Sequence, residues 1–372
     1  MKKIIIIVII SLLVIGACAW YLITDKEDGN NWEISENETF ETSIIANDRF
    51  GFLVGSSAKE MELARETGAG WIRPHPGPFV WGEMQENASS EIDFSNTDNM
   101  IKSSATYDIN ILPTIWHYAE WDQQDNPNSN ECIASTSEFK REFGEYRCVP
   151  YHWKEYLGWV SMIVERYDGD GLGDMPGLKK PITHWEIMNE PDLGTPDSSP
   201  GLQFLIGEPS DYAELLKRTS SAIRTSDPNA TILIAGAAGG DESFLNYFRE
   251  VFSDKETLDT FDIANVHCIS NGDVDSFNTV PYAAMLAEFN INKPIWVTEA
   301  EAFQKDSFEQ RKYTLDEQLL VSSINAFASG AEKIFFTSMN LDHIPGGDNN
   351  KPSKKDGPQA STEVYQKIFN NF

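Results

Sequence analysis

The chain has 372 residues, of which 41% are hydrophobic and 12% are aromatic, so it can form one large barrel or two ordinary domains. Acidic residues (58) outnumber basic ones (29), and the net charge is -29. A surface of that sign repels nucleic acid and anionic lipid headgroups, so we discount both as partners. An anionic polysaccharide would also bind poorly unless the cleft itself were basic.

The N-terminus predicts a membrane anchor that is separate from the fold. Two lysines precede an apolar run over residues 4–23, which has the ~20 residues that a helix needs to span a bilayer. Alternatively Cys18 is lipidated, because residues 15–18 (IGAC) resemble a bacterial lipoprotein cleavage site. Both interpretations make residues 1–23 a tether, residues 24–44 a polar linker and the remaining domain extracytoplasmic.

Short apolar runs alternate with amphipathic segments from residue 50 onward. The strand candidates are 50–55, 70–74, 109–116, 182–189, 231–236, 261–267, 294–299 and 333–338, and the helix candidates include 57–68, 151–167, 211–225 and 307–329. Most strands are continuously apolar, as expected for parallel strands covered on both faces. We therefore predict an α/β fold, a single (β/α)8 TIM barrel over residues 45–372. An open doubly wound sheet is the alternative, but no segment has the GxGxxG spacing of a nucleotide loop.

Two of the predicted strands end on a glutamate. Glu190 follows the fourth strand and Glu299 ends the seventh, three βα units later. Catalytic residues of such barrels lie at the C-terminal ends of the strands, so we expect both carboxylates at one rim, facing each other across the mouth. Glycoside hydrolysis needs such a pair, with one carboxyl protonated for the leaving oxygen and the other ionised for attack.

The segments at 185–191 (WEIMNEP) and 295–299 (IWVTE) resemble the paired signatures of clan A glycoside hydrolases, which are retaining (β/α)8 enzymes. Within the clan the pattern is similar to family 39, with family 5 next. The resemblance implies that Glu190 is the acid/base, that Glu299 is the nucleophile and that Asn189 bonds the sugar 2-hydroxyl. It also implies that no cofactor is needed.

The same resemblance implies roles for three further residues. Arg73 would support the nucleophile and keep it ionised, His117 would lie at the floor of the sugar site, and His267 would lie near the catalytic pair. The chain departs from the family pattern at Ile269 and Met339, where aromatic residues are common. These two departures leave the sugar specificity open.

Aromatic residues near the predicted mouth favour a sugar cleft. Trp81, Trp116 and Trp121 lie at or beyond the ends of the second and third strands, and flat rings offer apolar faces to sugar C–H groups. Trp71 and Trp185 lie inside strands, so we expect those two in the core.

The cysteines predict one disulfide. Cys132 and Cys148 bracket a single segment, and in an oxidising compartment we expect them to pair, leaving Cys268 as a buried thiol. No cysteine or histidine spacing indicates a metal site. The acidic loop at 168–174 resembles the first half of a calcium loop, but it lacks the glutamate at the twelfth position. We interpret it as a polar connector.

The sequence therefore predicts a membrane-tethered, extracytoplasmic, retaining β-glycosidase with a carbohydrate substrate. A barrel that binds glycans without cleaving them is one alternative. A transglycosylase of the same clan is another, which differs only in whether water or a sugar accepts the glycosyl group. The sequence makes no prediction of oligomeric state.

Overall fold

The computed structural model describes residues 45–134, 143–194, 202–269, 272–301, 315–339 and 358–372. The chain divides into two units, Met1–Ser43 and Ile44–Phe372, and every described residue belongs to the second. The predicted anchor (1–23) and linker (24–44) thus lie outside the described residues. Within the described ranges, no helix has the length and apolar character needed to cross a membrane.

The described residues contain nine strands, and every pairing between them is parallel. Their bounds are β1 Asn47–Val54, β2 Ala69–Pro74, β3 Asn110–Ile111, β4 Thr114–Ile115, β5 His184–Ile187, β6 Thr231–Ile234, β7 Ala264–Cys268, β8 Ile295–Ala300 and β9 Ala331–Phe336. One sheet has the order β3-β2-β1-β9-β8-β7, and the other has the order β4-β5-β6. Parallel bridges Leu233–Ile263 and Ala237–Val266 join β6 to β7, so the strands close into a barrel. The predicted α/β fold is confirmed.

The strand predicted over 109–116 is two short strands in the structure, because Pro113 interrupts it. Proline has no N–H to donate, so the ladder breaks there. Leu112 N still donates to Ile72 O at 2.9 Å, and Glu186 N donates to Pro113 O at 3.0 Å. β3 and β4 therefore act as one barrel strand that pairs with β2 at its start and with β5 at its end.

Ten α-helices lie in the part of the chain that the structure describes. Their bounds are α1 Ala58–Glu66, α2 Trp81–Met84, α3 Ser95–Tyr107, α4 Glu120–Gln124, α5 Trp153–Tyr167, α6 Pro209–Ser226, α7 Glu242–Ser253, α8 Thr279–Glu288, α9 Leu315–Ala328 and α10 Pro358–Phe369. Two 3-10 helices cover Ser129–Cys132 and Lys255–Asp259. The longer helices follow the barrel strands. The first of them, α1, starts at a capping box made by Ser57 and Glu60.

Tryptophans and a lysine fill the N-terminal end of the barrel, opposite the strand ends that carry the glutamates. Trp71 and Trp296 pack edge to face with ring centroids 5.3 Å apart. The Lys333 ammonium lies 4.9 Å and 5.1 Å from the two ring centroids and bonds the Asp48 carboxylate at 2.5 Å. Trp71 is 5% exposed and Trp185 is fully buried, as the sequence predicts for these two core residues.

Candidate active site

The structure brings Glu190 and Glu299 together at the C-terminal rim of the barrel. Glu299 is in β8, and Glu190 follows β5 by three residues. One carboxylate oxygen of each, together with one ring nitrogen of His267, lie within 4.8 Å of one another. The two glutamates are 7% and 4% exposed, so water has little access to either. The predicted facing pair is thus a compact, mostly dry cluster.

Left-handed backbone aims the end of β5 at this cluster. Met188 has φ 74° and Glu190 has φ 40°, conformations that cost of order 1–3 kcal/mol each for residues with a Cβ. Successive side chains of a regular strand point to opposite faces. Here consecutive residues converge instead, since Asn189 Oδ1 accepts from Arg73 at 2.6 Å while Glu190 Oε1 lies 2.8 Å from His267 Nδ1.

Arg73, at the end of β2, bonds three residues of the site through one planar guanidinium. Its Nε donates to Glu186 at 2.7 Å, its Nη1 to Glu299 at 2.7 Å and its Nη2 to Asn189 at 2.6 Å. The arginine is fully buried. A charge-assisted hydrogen bond of this kind favours the ionised form of the carboxylate that accepts it. Arg73 therefore contacts Glu299 directly, as the predicted support of the nucleophile requires.

The surroundings push the two glutamates toward different protonation states. Burial raises the pKa of Glu190 to about 7, although the Arg73 charge and a hydrogen bond with Asn189 partly oppose it. Burial also raises the pKa of Glu299, while the charge of Arg73 and its hydrogen bond lower it. Because Arg73 donates directly to Glu299, we take Glu299 as the carboxylate that ionises first. Glu190 is then the one that holds a proton near neutral pH.

His267 lies between the two glutamates as a neutral ring. Burial lowers its pKa to about 4. Its Nδ1 is 2.8 Å from Glu190 and 3.7 Å from Glu299, and its Nε2 is 2.8 Å from the Thr298 hydroxyl. A neutral imidazole donates from one nitrogen and accepts at the other, so it can adjust to either protonation state of Glu190. Gly236 makes room for the ring, since a Cβ there would lie 2.1 Å from Nε2.

Two of the tryptophans predicted to line a sugar cleft do not do so in the structure. Trp81 and Trp116 are fully buried, and their indole N–H groups donate to Gln85 Oε1 at 3.0 Å and Pro76 O at 2.6 Å. Their ring faces pack against protein, so neither can offer a platform to a sugar. Sequence position placed them at or beyond strand ends, but the loops fold their rings back into the core.

Trp121 occupies a different environment. It is half-buried, packs edge to face on Trp81 at 4.8 Å and borders a surface pocket of about 460 Å³. Three glutamates, Glu83, Glu86 and Glu120, also line that pocket. Of the three predicted aromatic residues, Trp121 is the one that lines an open surface.

The ring of His117 bonds the loop at Cys148. It is 1% exposed, its Nε2 lies 3.0 Å from the Cys148 carbonyl, and burial lowers its pKa to about 3. The role expected for it at the sugar-site floor has no geometric support here, since its ring supports the neighbouring loop instead. That loop contains the predicted Cys132–Cys148 disulfide, whose Cα atoms are 5.1 Å apart. Cys268 is the predicted buried thiol outside this disulfide.

Three further groups near the cluster were given no role by the sequence. Glu186 is fully buried and bonded to Arg73. Asp192 is fully buried and accepts from Ala238 N at 2.9 Å, and burial holds its pKa well above the usual value. His75 has its pKa lowered by burial and by the nearby charge of Arg73. Only Glu186 had a readable signal, a charged residue inside an otherwise apolar strand.

Two groups of metal-ligating side chains occur within the described residues. The first is the catalytic cluster of Glu190, His267 and Glu299, but Arg73 donates directly to Glu299 and its charge opposes a cation there. The second is the aspartate trio of the 168–174 loop, whose oxygens accept backbone N–H groups of the same loop. Neither arrangement is assigned as a metal site.

A barrel of parallel strands with two facing buried carboxylates, one of them paired with arginine, is the architecture of a glycosidase. The chain belongs to the glycosyl hydrolase catalytic core family, whose model matches residues 101–335. The resemblance to clan A glycoside hydrolases is confirmed at this level, and the chain is a glycosidase that hydrolyses O-glycosyl compounds. No curated protein sequence matches the chain.

Solved structures share the fold at low identity. A glucosidase from Croceicoccus marinus is 16% identical with a TM-score of 0.58, over 88% of this chain and 68% of that one. A family 39 glycoside hydrolase from Bacteroides cellulosilyticus WH2 is 16% identical with a TM-score of 0.53, over 87% and 64%. Xylanase 10B from Thermotoga petrophila RKU-1, in complex with xylobiose, is 14% identical with a TM-score of 0.53, over 92% and 100%. This chain thus spans about two thirds of the first two proteins.

Proposed function

We propose that the chain is a retaining β-glycosidase, with Glu299 as nucleophile and Glu190 as acid/base. The observation that carries the proposal is the separation of the pair, since one oxygen of each carboxylate lies within 4.8 Å of the other. Retaining enzymes hold the two carboxyl groups ~5–5.5 Å apart, whereas inverting enzymes leave ~6.5–9.5 Å for a water molecule. A closest approach of the two oxygens within 4.8 Å favours the shorter, retaining spacing.

The reaction then runs in two displacements. The Glu299 carboxylate attacks the anomeric carbon while Glu190 gives its proton to the departing glycosidic oxygen, which leaves a glycosyl ester on Glu299. Glu190, now ionised, takes a proton from water as the water oxygen attacks the same carbon. The sugar departs, Glu299 is regenerated as a carboxylate and Glu190 is protonated again.

The supporting residues have separate tasks in this scheme. Arg73 stabilises the charge on Glu299 before attack and after release. Asn189 is held by Arg73 through its carbonyl oxygen, and one of its two amide N–H groups bonds Glu190, which leaves the other for the sugar 2-hydroxyl. His267 follows the proton on Glu190 by changing which of its nitrogens donates.

The experiment that tests the proposal uses alanine variants at the two glutamates. Fold neighbours include a glucosidase and a xylanase, so aryl β-glucosides and aryl β-xylosides are the first substrates to assay. We expect Glu190→Ala to lower turnover by about 10²–10⁴-fold and Glu299→Ala to lower it at least as much. Azide should rescue the Glu299 variant with an inverted glycosyl azide. Unchanged hydrolysis by either variant rules out the assignment.

The product distinguishes hydrolysis from the alternatives. NMR of the first-formed sugar should show the β anomer, because two inversions restore the configuration. Transfer to a sugar acceptor in place of water would assign a transglycosylase, and binding to a glycan panel without turnover would assign a non-catalytic barrel.

We also propose that the domain lies outside the cytoplasm and is tethered to the membrane. The apolar run at residues 4–23 and the Cys132–Cys148 disulfide support this location, because structural disulfides persist in oxidising compartments. Mass spectrometry of the mature N-terminus tests the tether. A lipid on Cys18 or an intact apolar segment is expected, and a soluble protein cleaved after the segment contradicts it.

A further inference from the structure

A third carboxylate lies directly below the catalytic pair. Glu186 is in the middle of β5, four residues before Glu190, and is fully buried. A charged group in such a position costs several kcal/mol unless it is paired and fully hydrogen-bonded. Its presence therefore requires a physical reason beyond filling space in an apolar strand.

Four donors from four different strands fix the Glu186 carboxylate. Its Oε2 accepts from Arg73 Nε at 2.7 Å and from the Thr114 hydroxyl at 2.5 Å. Its Oε1 accepts from Asn265 Nδ2 at 2.6 Å and, at 3.3 Å, from the Thr298 hydroxyl, which shares its proton with Asn265 Oδ1 at 2.9 Å. These donors come from β2, β4, β7 and β8, so the carboxylate is held from both sides of the barrel.

The consequence of this arrangement falls on Arg73. A guanidinium is planar, so holding its Nε at Glu186 leaves little freedom to its two outer nitrogens. Those nitrogens carry the bonds to Glu299 and Asn189, each at 2.7 Å or less. The orientation of the nucleophile and of the sugar-binding amide thus depends on the position of Glu186.

We propose that Glu186 is a positioning residue that acts through Arg73 on Glu299 and Asn189. The inference rests on the proposed roles of those two residues in glycoside hydrolysis. Glu186 also acts by charge on the acid/base, because its negative charge adds to burial in raising the pKa of Glu190. A carboxylate that merely stabilised the barrel would have neither effect on the reaction.

The test compares Glu186→Gln with the unsubstituted chain on the aryl β-glycoside that it hydrolyses fastest. Glutamine keeps the size of the side chain but removes the charge and one acceptor. We expect kcat to fall about 10²-fold or more, as when one preorganised electrostatic contact is lost, with KM changed only a few-fold. The basic limb of the kcat/KM profile should move to lower pH, because Glu190 loses a neighbouring negative charge.

A covalent probe reports the effect on the nucleophile itself. The matching 2-deoxy-2-fluoro glycoside with an activated leaving group should label Glu299, and Glu186→Gln should slow that labelling about as much as it lowers kcat. Wild-type kcat, pH profile and labelling rate, with only a lower unfolding temperature, would overturn the inference. The same result would leave the roles of Glu190 and Glu299 intact, since their own variants test those.

Two further variants keep the experiment decisive. Asp98→Asn removes a carboxylate on α3 whose ion pair, at 2.7 Å, is with Arg166 on α5, and it should cost stability without moving kcat or the pH profile. Thr114→Val preserves side-chain shape but removes one donor to Glu186, so it serves if Glu186→Gln fails to fold. It should lower kcat several-fold, and an unchanged kcat would contradict the proposal.

Discussion

At the scale of single residues, the burial of Glu190 favours the protonated acid that the reaction uses and lowers the stability of the folded chain. Its pKa is raised to about 7 from 4.5 because burial disfavours the charged form. A folded state that binds a proton more tightly than the unfolded chain loses stability as pH rises between those two values. The buried Glu190 that supplies the acid near neutral pH therefore lowers the free energy of unfolding at that pH.

We predict that Glu190→Gln is more stable than the unsubstituted chain at pH 8, by up to about 3 kcal/mol, because it has no charge to bury. Below about pH 4.5 the gain should vanish, since the carboxyl is then protonated in both states. Urea unfolding at pH 4, 6 and 8 measures this. Asp98→Asn is the control with the opposite sign, because hydrogen bonds from Arg166 and Tyr167 outweigh burial and lower the Asp98 pKa. Equal stability of Glu190→Gln and the parent chain at pH 8 would contradict the prediction.

The same pKa shapes the activity profile. With Glu190 as the acid, kcat/KM should fall above about pH 7, where that carboxyl loses its proton. The acid limb should lie lower and belong to Glu299, which Arg73 helps to ionise. A rate that stays level through pH 8.5 would show that Glu190 is not the acid.

At the scale of elements, the end of β6 fits closely against the ring on β7. We predict that Gly236→Ala displaces His267, because the added Cβ would lie 2.1 Å from its Nε2. Overpacking of this kind costs about 1–3 kcal/mol, and kcat should fall with it. Activity assays and thermal unfolding measure both effects.

Gly158→Ala is the matched control for that substitution. Gly158 lies in α5, and a Cβ there would meet nothing within 4 Å. Alanine is a better helix former than glycine by roughly 0.5–1 kcal/mol, so this variant should be slightly more stable with unchanged kcat. Equal behaviour of the two alanine variants would mean that the contact at His267 is not tight.

At the scale of the whole molecule, the charge of the chain opposes its compact state. The net charge of -29 implies self-repulsion that salt screens. We predict that the thermal midpoint rises as NaCl increases from about 0.01 M to about 0.5 M, where the Debye length shortens several-fold. KCl at equal ionic strength should act alike, which separates screening from binding of one cation. A midpoint that is flat or falls with salt would contradict this prediction.

The sequence predicted the features that depend on repetition. Strand-helix alternation gave the barrel, and counting units brought Glu190 and Glu299 to one rim. The sequence failed where a side chain's surroundings come from distant segments. The burial of Trp116 depends on Pro76 and the loops around it, and the direction of His117 depends on the Cys148 carbonyl. Local pattern carries no information on such contacts.

Two other misses arise from backbone geometry. The strand over 109–116 divides at Pro113, a signal that was readable but was outweighed by the apolar run. The left-handed φ of Met188 has no sequence signal, because methionine rarely adopts it and tertiary contacts impose it here. The role of Glu186 was not predicted for a different reason: its charge is readable in the strand, but its donors lie on four other strands.

The left-handed backbone at Met188 and Glu190 has a practical use. Because the main chain aims position 190, the Glu190→Gln side chain keeps its place beside His267 while it can no longer deliver a proton. Such a protein should hold its substrate without consuming it. Fixed to a column, it becomes an affinity reagent that can retrieve the natural glycan from a mixture, so that the sugar is identified by what the barrel retains.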